Sequence, residues 1–411
     1  MKNVIKFSPL LLIYICIVLL ASTNIFQGDE NRYVKFATNL TNGYYVSQNN
    51  MDLRNGPGYP IILFPFALLN LPWFTAKLLN ALFLFIAIIY FYYTLCLYID
   101  RKPALVISYL LGLYPPFMRD LPRLYTEPLV CFLICGFMFH FTKLCKDNEK
   151  SNIHLLITSI YLSFVALTKI FFGYVILSCL LLFLSLYVFK KRKAFKHSLL
   201  VCIFAFLFCM PYLFYTYSIT GEVFYWGNSG GRLLYWMSSP YKNDLGDWQS
   251  FETLDKNPQL YKNHHKFYEQ LSNLDYIRRD EEFKRKAFYN IINNPRQYIC
   301  NWIANIGRLL FSYPYAYTPQ KISTFFYMIP NIFIGVLSVL SIYPTYLVRK
   351  SLPEEICSLV LFALVYFFGT SLLSAYPRFF QVIVPILFLW ISFVFFRVLK
   401  IEIQNNTPDL C

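Results

Sequence analysis

Four places in this sequence set ionisable side chains at the ends of long apolar runs, where a charge is costly unless it serves a purpose. The first is Asp29-Glu30, just after the apolar run that begins near Phe7. Two adjacent carboxylates at a membrane surface can take a proton from a nucleophile or bind a cation; they can equally be solvated loop charges or a helix cap. The second is Glu127 in Leu124-Tyr125-Thr126-Glu127-Pro128, where an acid followed by proline also suits the first turn of a helix. The third is Lys169, near the middle of the apolar run 153–189, which is too long for one spanning helix and must turn back. A cation held there by apolar neighbours calls for a counter-anion such as a lipid phosphate, or else it snorkels to the surface. The fourth is Arg378 in Ser374-Ala375-Tyr376-Pro377-Arg378. Its guanidinium suits bidentate phosphate recognition and, equally, interfacial anchoring.

Other chemistries lack their residues. No phosphate-cradling glycine loop, zinc spacing or nucleophile elbow occurs. Most of the eleven cysteines lie inside apolar runs as small hydrophobes. Cys131 and Cys135 share a helical face without the neighbouring His or Cys that a metal site needs. Only Cys300 falls in a large polar segment, so no internal disulfide is expected there.

The elements that must position these charges are membrane spans. Of the 411 residues, 57% are hydrophobic and 14% charged, against roughly 45–50% and about 25% in soluble domains. The net charge of +15 is no nucleic-acid footprint, and no nucleic-acid partner is expected. Its densest cluster, Lys190-Lys191-Arg192-Lys193 with Lys196, directly follows an apolar run, where basic residues hold a loop in the cytoplasm. An all-α polytopic membrane protein with about ten transmembrane helices is the expected fold class. The spans fall near 7–26, 74–99, 104–118, 127–143, two across 153–189, 198–217, 325–347, 356–373 and 380–398. Pro60, Pro65 and Pro72 break the apolar stretch before the second span into an interfacial helix. With this count every short basic loop lands in the cytoplasm, and all four ionisable places lie outside it. Residues 1–217 then form an N-terminal transmembrane module with an exoplasmic loop at 27–59. A Tyr- and Trp-rich exoplasmic segment covers 218–320, and 321–411 holds the C-terminal transmembrane helices.

The residues also follow a known pattern. Asp29-Glu30, Tyr33, Ala37, Leu40, Gly43 and Tyr44 resemble the opening D-E-x-x-Y-x-x-x-A-x-x-L-x-x-G-x-Y of the dolichyl-phosphate-mannose–protein mannosyltransferase-like membrane glycosyltransferases of the GT-C class, which include the lipid A aminoarabinose transferases. Pro57-Gly58-Tyr59-Pro60 looks like their P-P-G-Y-P, with Gly56 in place of the first proline. Thr126-Glu127-Pro128-Leu129 resembles their T-E-P-L, and Leu167-Thr168-Lys169 an L-x-R-P element in which Lys replaces Arg and no proline follows. Asn294-Pro295-Arg296-Gln297-Tyr298 is similar to their N-P-x-x-Y, and Tyr376-Pro377-Arg378-Phe379 to the closing R-Y, with Phe for Tyr. The likeness runs in order through nearly the whole chain.

The resemblance implies transfer of a sugar, with inversion, from a polyprenyl-phosphate donor to an exoplasmic acceptor, by a multi-pass protein of the cell (inner) membrane. It implies Asp29 as base, Glu30 and Glu127 positioning the acceptor or assisting, and Lys169 and Arg378 holding the donor phosphate. Arg32, Tyr33 and Tyr59 lie in the same motifs and join the substrate-binding set. No cofactor is named, although paired carboxylates leave room for a divalent cation. Trp226, Trp236 and Trp248 are expected to stack on sugar faces or to form an interfacial belt. A lipid flippase would need ionisable groups deep in several spans, and these spans are nearly free of them. A surface-polysaccharide polymerase or ligase shares the topology class but not the Asp-Glu opening.

Overall fold

Among the described residues (2–47, 51–147 and 150–399 of a computed structural model), every regular element is helical. Seven helices are long and apolar enough to cross a membrane: Trp73–Leu95, Glu127–Lys146, Ser151–Thr168, Phe171–Lys190, Lys193–Thr220, Ile322–Leu347 and Glu354–Ser371. The chain is an all-α polytopic membrane protein. In lipid, apolar burial between helices is not a driving force, so van der Waals packing and interhelical hydrogen bonds hold the bundle together. Glu127–Lys146 lies at its centre, the most buried of the seven, packed between Trp73–Leu95 and Ser151–Thr168.

Three further expected spans are shorter than their apolar runs. The first is Ser8–Ala21. The run at 104–118 breaks after Arg101–Gly112 because Pro115 pushes Tyr114 out of helical geometry, to ψ 114°. The chain resumes as the short helix Pro115–Asp120. The last run opens with one turn, Pro377–Phe380, before the apolar helix Val384–Val398. The proline-broken stretch before the second span forms Gly58–Leu68. The run 153–189 is a hairpin, Ser151–Thr168 and Phe171–Lys190, joined by Lys169 and Ile170 alone.

At one end of the bundle the basic loops collect: Arg192 lies 3.7 Å from Glu354 and Lys146 3.7 Å from Glu355. Segment 218–320 packs at the other end as Gly230–Met237, Pro258–Gln270, Tyr276–Asn293 and Pro295–Phe311. Asn257 and Asp275 cap the second and third of these, each accepting two backbone N–H groups that no carbonyl can reach. The segment has its own core, centred on Tyr235, Trp236, Leu260, Tyr268 and Phe283. This placement corrects the expectation for the tryptophans. Trp226 is 1% exposed and Trp236 0%, so both are core residues with no face left for a sugar or a headgroup. Trp248 lies under the Arg232 guanidinium, 4.8 Å from ring centre to cation.

Candidate active site

The end of the bundle opposite the basic loops gathers the ionisable residues from four separate stretches of chain. Gly28, at φ +58°, makes a turn that a side chain would strain, and it delivers Asp29 to the start of helix Glu30–Thr41. The Asp29 carboxylate makes no capping bond to that helix. One oxygen is bonded instead by Arg32, and the other accepts from Arg378 Nη1 at 2.8 Å. Arg378 Nε lies 4.0 Å from Glu127 Oε1, which also pairs with Lys169 Nζ at 2.7 Å. The result is a ladder of alternating charge: Arg32, Asp29, Arg378, Glu127, Lys169. It holds three cations and two anions.

Helix ends and tight turns supply every rung. Glu127 opens the central helix, Lys169 occupies the two-residue hairpin turn, and Arg378 lies in the single turn before the last span. The Glu127 side chain is 2% exposed and that of Lys169 12%, whereas those of Arg378 and Arg32 are about one third open, at 30% and 28%. The ladder therefore runs from a buried anion to accessible cations. The Phe379 ring lies 5.6 Å from Lys169 Nζ and 5.8 Å from the Arg378 guanidinium, so an aromatic face borders both cations. Burial raises the Asp29 carboxyl, but Arg378 and Arg32 outweigh it and hold that group at about 2.

Glu30 faces elsewhere. Its two oxygens accept the backbone N–H groups of Gln27 at 2.9 Å and Leu124 at 2.8 Å. It is thereby the brace that fixes the Asp29 turn against the strand of chain leading to Glu127. Lys77, also buried, sits 4.0 Å from Glu30 and donates to Thr23 O at 2.7 Å. Tyr33 and Tyr59 are buried, with their rings edge-to-face at 5.1 Å. Asn55 joins them to the ladder, accepting from Arg32 Nε at 2.8 Å and donating to the Tyr33 hydroxyl at 3.1 Å.

Several members of this neighbourhood were not singled out from sequence. Asn55 is an ordinary loop polar residue there, and nothing marks it. Lys77 carries a signal, a lone cation inside an apolar run. Asp120 is buried, and burial together with the charge of Glu127 raises its carboxyl. Gln381 Nε2 donates to it at 3.3 Å. Among the described residues no group of three or more His, Cys, Asp or Glu gathers as a metal site. The ladder carboxylates are already neutralised by arginine and lysine, a donor set that does not fit a divalent cation.

No family model and no curated protein matches the sequence. Solved structures do match. The archaeal oligosaccharyltransferase AglB from Archaeoglobus fulgidus, solved with an inhibitory peptide and a dolichol-phosphate, superposes with a TM-score of 0.52 at 13% identity over 95% of this chain and 50% of that one. This chain thus spans half the length of that structure. ArnT from Cupriavidus metallidurans, bound to undecaprenyl phosphate, superposes with a TM-score of 0.42 at 12% identity over 96% of this chain and 77% of that one. At 13% identity the likeness to the AglB structure is one of fold alone.

Proposed function

We propose that this chain is a membrane glycosyltransferase that moves a sugar from a polyprenyl-phosphate donor to an acceptor outside the cytoplasm, with inversion. The observation that carries the reading is the ladder: the Asp29 carboxylate is bonded by Arg378, which together with Lys169 borders an aromatic face. The AglB structure, with the same fold, binds a dolichol-phosphate, and the surplus positive charge here suits the same kind of headgroup.

The chemistry follows from the charges. Asp29 accepts the proton of the acceptor's nucleophilic group, which attacks the anomeric carbon. The bond from that carbon to the phosphate oxygen breaks, and its electron pair leaves with the lipid phosphate. Lys169 and Arg378 stabilise the charge that develops there, so no strong general acid is needed. Glu127 fixes the Lys169 ammonium, Glu30 braces the Asp29 turn and Arg32 borders the acceptor side, while Tyr33 and Tyr59, expected to bind substrate, are buried and support Arg32 from behind through Asn55. Arg378 serves both ends of the reaction. While it pairs with Asp29 it keeps that carboxylate a weak base. A donor phosphate that draws Arg378 away leaves Asp29 with one cation fewer, and its basicity rises as the donor arrives.

The ten-span topology, with both termini in the cytoplasm and segment 218–320 outside, belongs to this reading, as does residence in the cell's inner membrane. The divisions 1–217 and 321–411 would then share one active site, because Asp29, Glu127 and Lys169 come from the first and Arg378 from the second. The test is transfer by the purified protein from radiolabelled polyprenyl-phosphate sugars to envelope glycolipids or glycoproteins, with Asp29→Asn as the blank. Absence of any transfer, together with absence of polyprenyl-phosphate binding, would overturn the reading.

A further inference from the structure

Arg378 sits at the end of a loop, and a loop is a poor place for a precisely aimed cation unless something fixes it. The loop begins where helix Glu354–Ser371 ends. The last carbonyls of a helix have no partner within it, so they need donors from elsewhere. Here the donors come from a different helix, Pro295–Phe311 in segment 218–320. Asn305, 0% exposed, donates through Nδ2 to Ser371 O at 2.8 Å and to Leu373 O at 2.7 Å. Its Oδ1 accepts Ala375 N–H at 3.0 Å. One amide therefore grips three backbone groups of the stretch that leads, three residues later, to Arg378.

Two neighbours on the same helical face add to the grip. Tyr298, Trp302 and Asn305 are spaced four and three apart, which aligns them along one side of a helix. The Tyr298 hydroxyl donates to Leu372 O at 3.0 Å and Trp302 Nε1 to Ser371 Oγ at 2.9 Å. Behind Asn305, the fully buried Arg308 donates to Asn305 Oδ1 at 3.1 Å, to Gly246 O at 3.0 Å and to Pro314 O at 3.1 Å. The clamp is thereby anchored in the body of the segment.

We propose that Asn305 is a positioning residue for Arg378: it caps the end of helix Glu354–Ser371 from outside and so sets the guanidinium against Asp29 and the donor phosphate. Segment 218–320 is on this view a scaffold for the active-site arginine. The inference rests on the donor-phosphate reading above for its functional half and on the hydrogen bonds alone for its structural half.

The experiment is a double-mutant cycle between Asn305→Asp and Arg378→Ala in the full-length purified protein. Asn305→Asp keeps size and shape but turns an acceptor toward two carbonyls. Undecaprenyl phosphate is the probe. Asn305→Asp should weaken its binding about tenfold or more, as loss of a charge-assisted hydrogen bond does. In the Arg378→Ala background the same change should matter by less than about twofold. A purely structural role would make the two losses multiply, and that result would overturn the proposal. If the Asp variant does not fold, Tyr298→Phe, which removes a single hydroxyl donor, enters the same cycle. If the wild-type protein binds no polyprenyl phosphate, the donor reading falls, and the cycle is read on thermal unfolding in detergent. There, a loss for the double variant smaller than the sum of the single losses supports the positioning role, and additive losses refute it.

Discussion

Arg378 Nη1 donates to Asp29 Oδ2 at 2.8 Å, joining residues 349 positions apart. The bond links the proposed base to the proposed phosphate grip, so the two halves of the reaction share one ion pair. Neither residue can be altered without changing the other's electrostatics, and that coupling shapes what the variants should do.

Asp29→Asn should lower turnover by about 10²–10⁴-fold, the usual worth of a positioned general base. Donor affinity should hold or rise, because the change releases Arg378 from its carboxylate partner. Single-turnover transfer and a polyprenyl-phosphate titration on the same preparation check both halves. Wild-type turnover in the Asn variant would remove Asp29 from the role.

The pH dependence has a defined sign. The Asp29 carboxyl is depressed to about 2 in the folded protein, against about 3.9 in an unfolded chain. Its ionised form therefore stabilises the fold above about pH 4, and that stabilisation is lost as pH falls toward 2. Arg378→Ala removes the strongest opposing cation and leaves burial opposed only by Arg32 and Lys169, so the carboxyl rises. The wild-type profile of kcat/KM, which reports the free enzyme, should show no acid limb from Asp29 above about pH 3, whereas that of the Ala variant should show one. Identical profiles would mean that Arg378 does not control Asp29.

Lys169→Ala strands the buried Glu127 carboxylate with only Arg378, 4.0 Å away, to oppose it. Breaking a buried pair from one side costs about 3–5 kcal/mol, so thermal unfolding in detergent should fall sharply. Adding Glu127→Gln should recover much of the loss, and Lys169→Arg should be tolerated. Donor binding should weaken by about 1.5–3 kcal/mol in Lys169→Ala and in Arg378→Ala. Arg378→Lys should also be impaired, because a point charge does not replace a planar fork.

Gly56 stands where the motif that this stretch resembles has a proline, and its surroundings leave no room for a side chain. A Cβ at this position would stand 2.0 Å from Leu167 O and 2.9 Å from Ile170 Cγ2, inside the hairpin turn that carries Lys169. Gly56→Ala should cost about 1–3 kcal/mol by overpacking and should reduce transfer by shifting Lys169. Gly230→Ala, where the new methyl would meet nothing within 4 Å, is the control, with an expected change within about 0.5 kcal/mol. Equal melting temperatures for the two variants would show that the turn tolerates the displacement.

Orientation is tested by thiol labelling after the exposed Cys300 is replaced by Ser. A membrane-impermeant reagent added outside should reach a cysteine at the exposed Lys262 and spare one at Lys196. Position 48, the corresponding probe in the 27–59 loop, lies outside the described residues. Labelling at 196 in intact cells would invert the topology.

The sequence by itself determined the class of molecule. Apolar runs of about 20 residues in a chain only 14% charged leave no alternative to membrane helices, and the excess length of 153–189 required a turn near Lys169. It also marked the ionisable residues at the span ends, because a charge beside hydrocarbon stands out. The motif resemblance set Asp29 apart from Glu30 as the base, but the residue types themselves did not. The two are adjacent acids, and only the packing of helix Glu30–Thr41 turns one to the arginines and the other to the amides of Gln27 and Leu124. Nor did the sequence show that Trp226 and Trp236 are core residues, since composition does not reveal which face of an aromatic is covered. Asn55 and Asn305 were invisible for a related reason. An asparagine has no preferred partner until tertiary structure brings backbone carbonyls, amides or a guanidinium to its amide. Hydropathy is a property of each residue along the chain, whereas an ion pair or an amide clamp is a property of two surfaces meeting. The first can be read from residues in order, and the second arises only once the helices have packed.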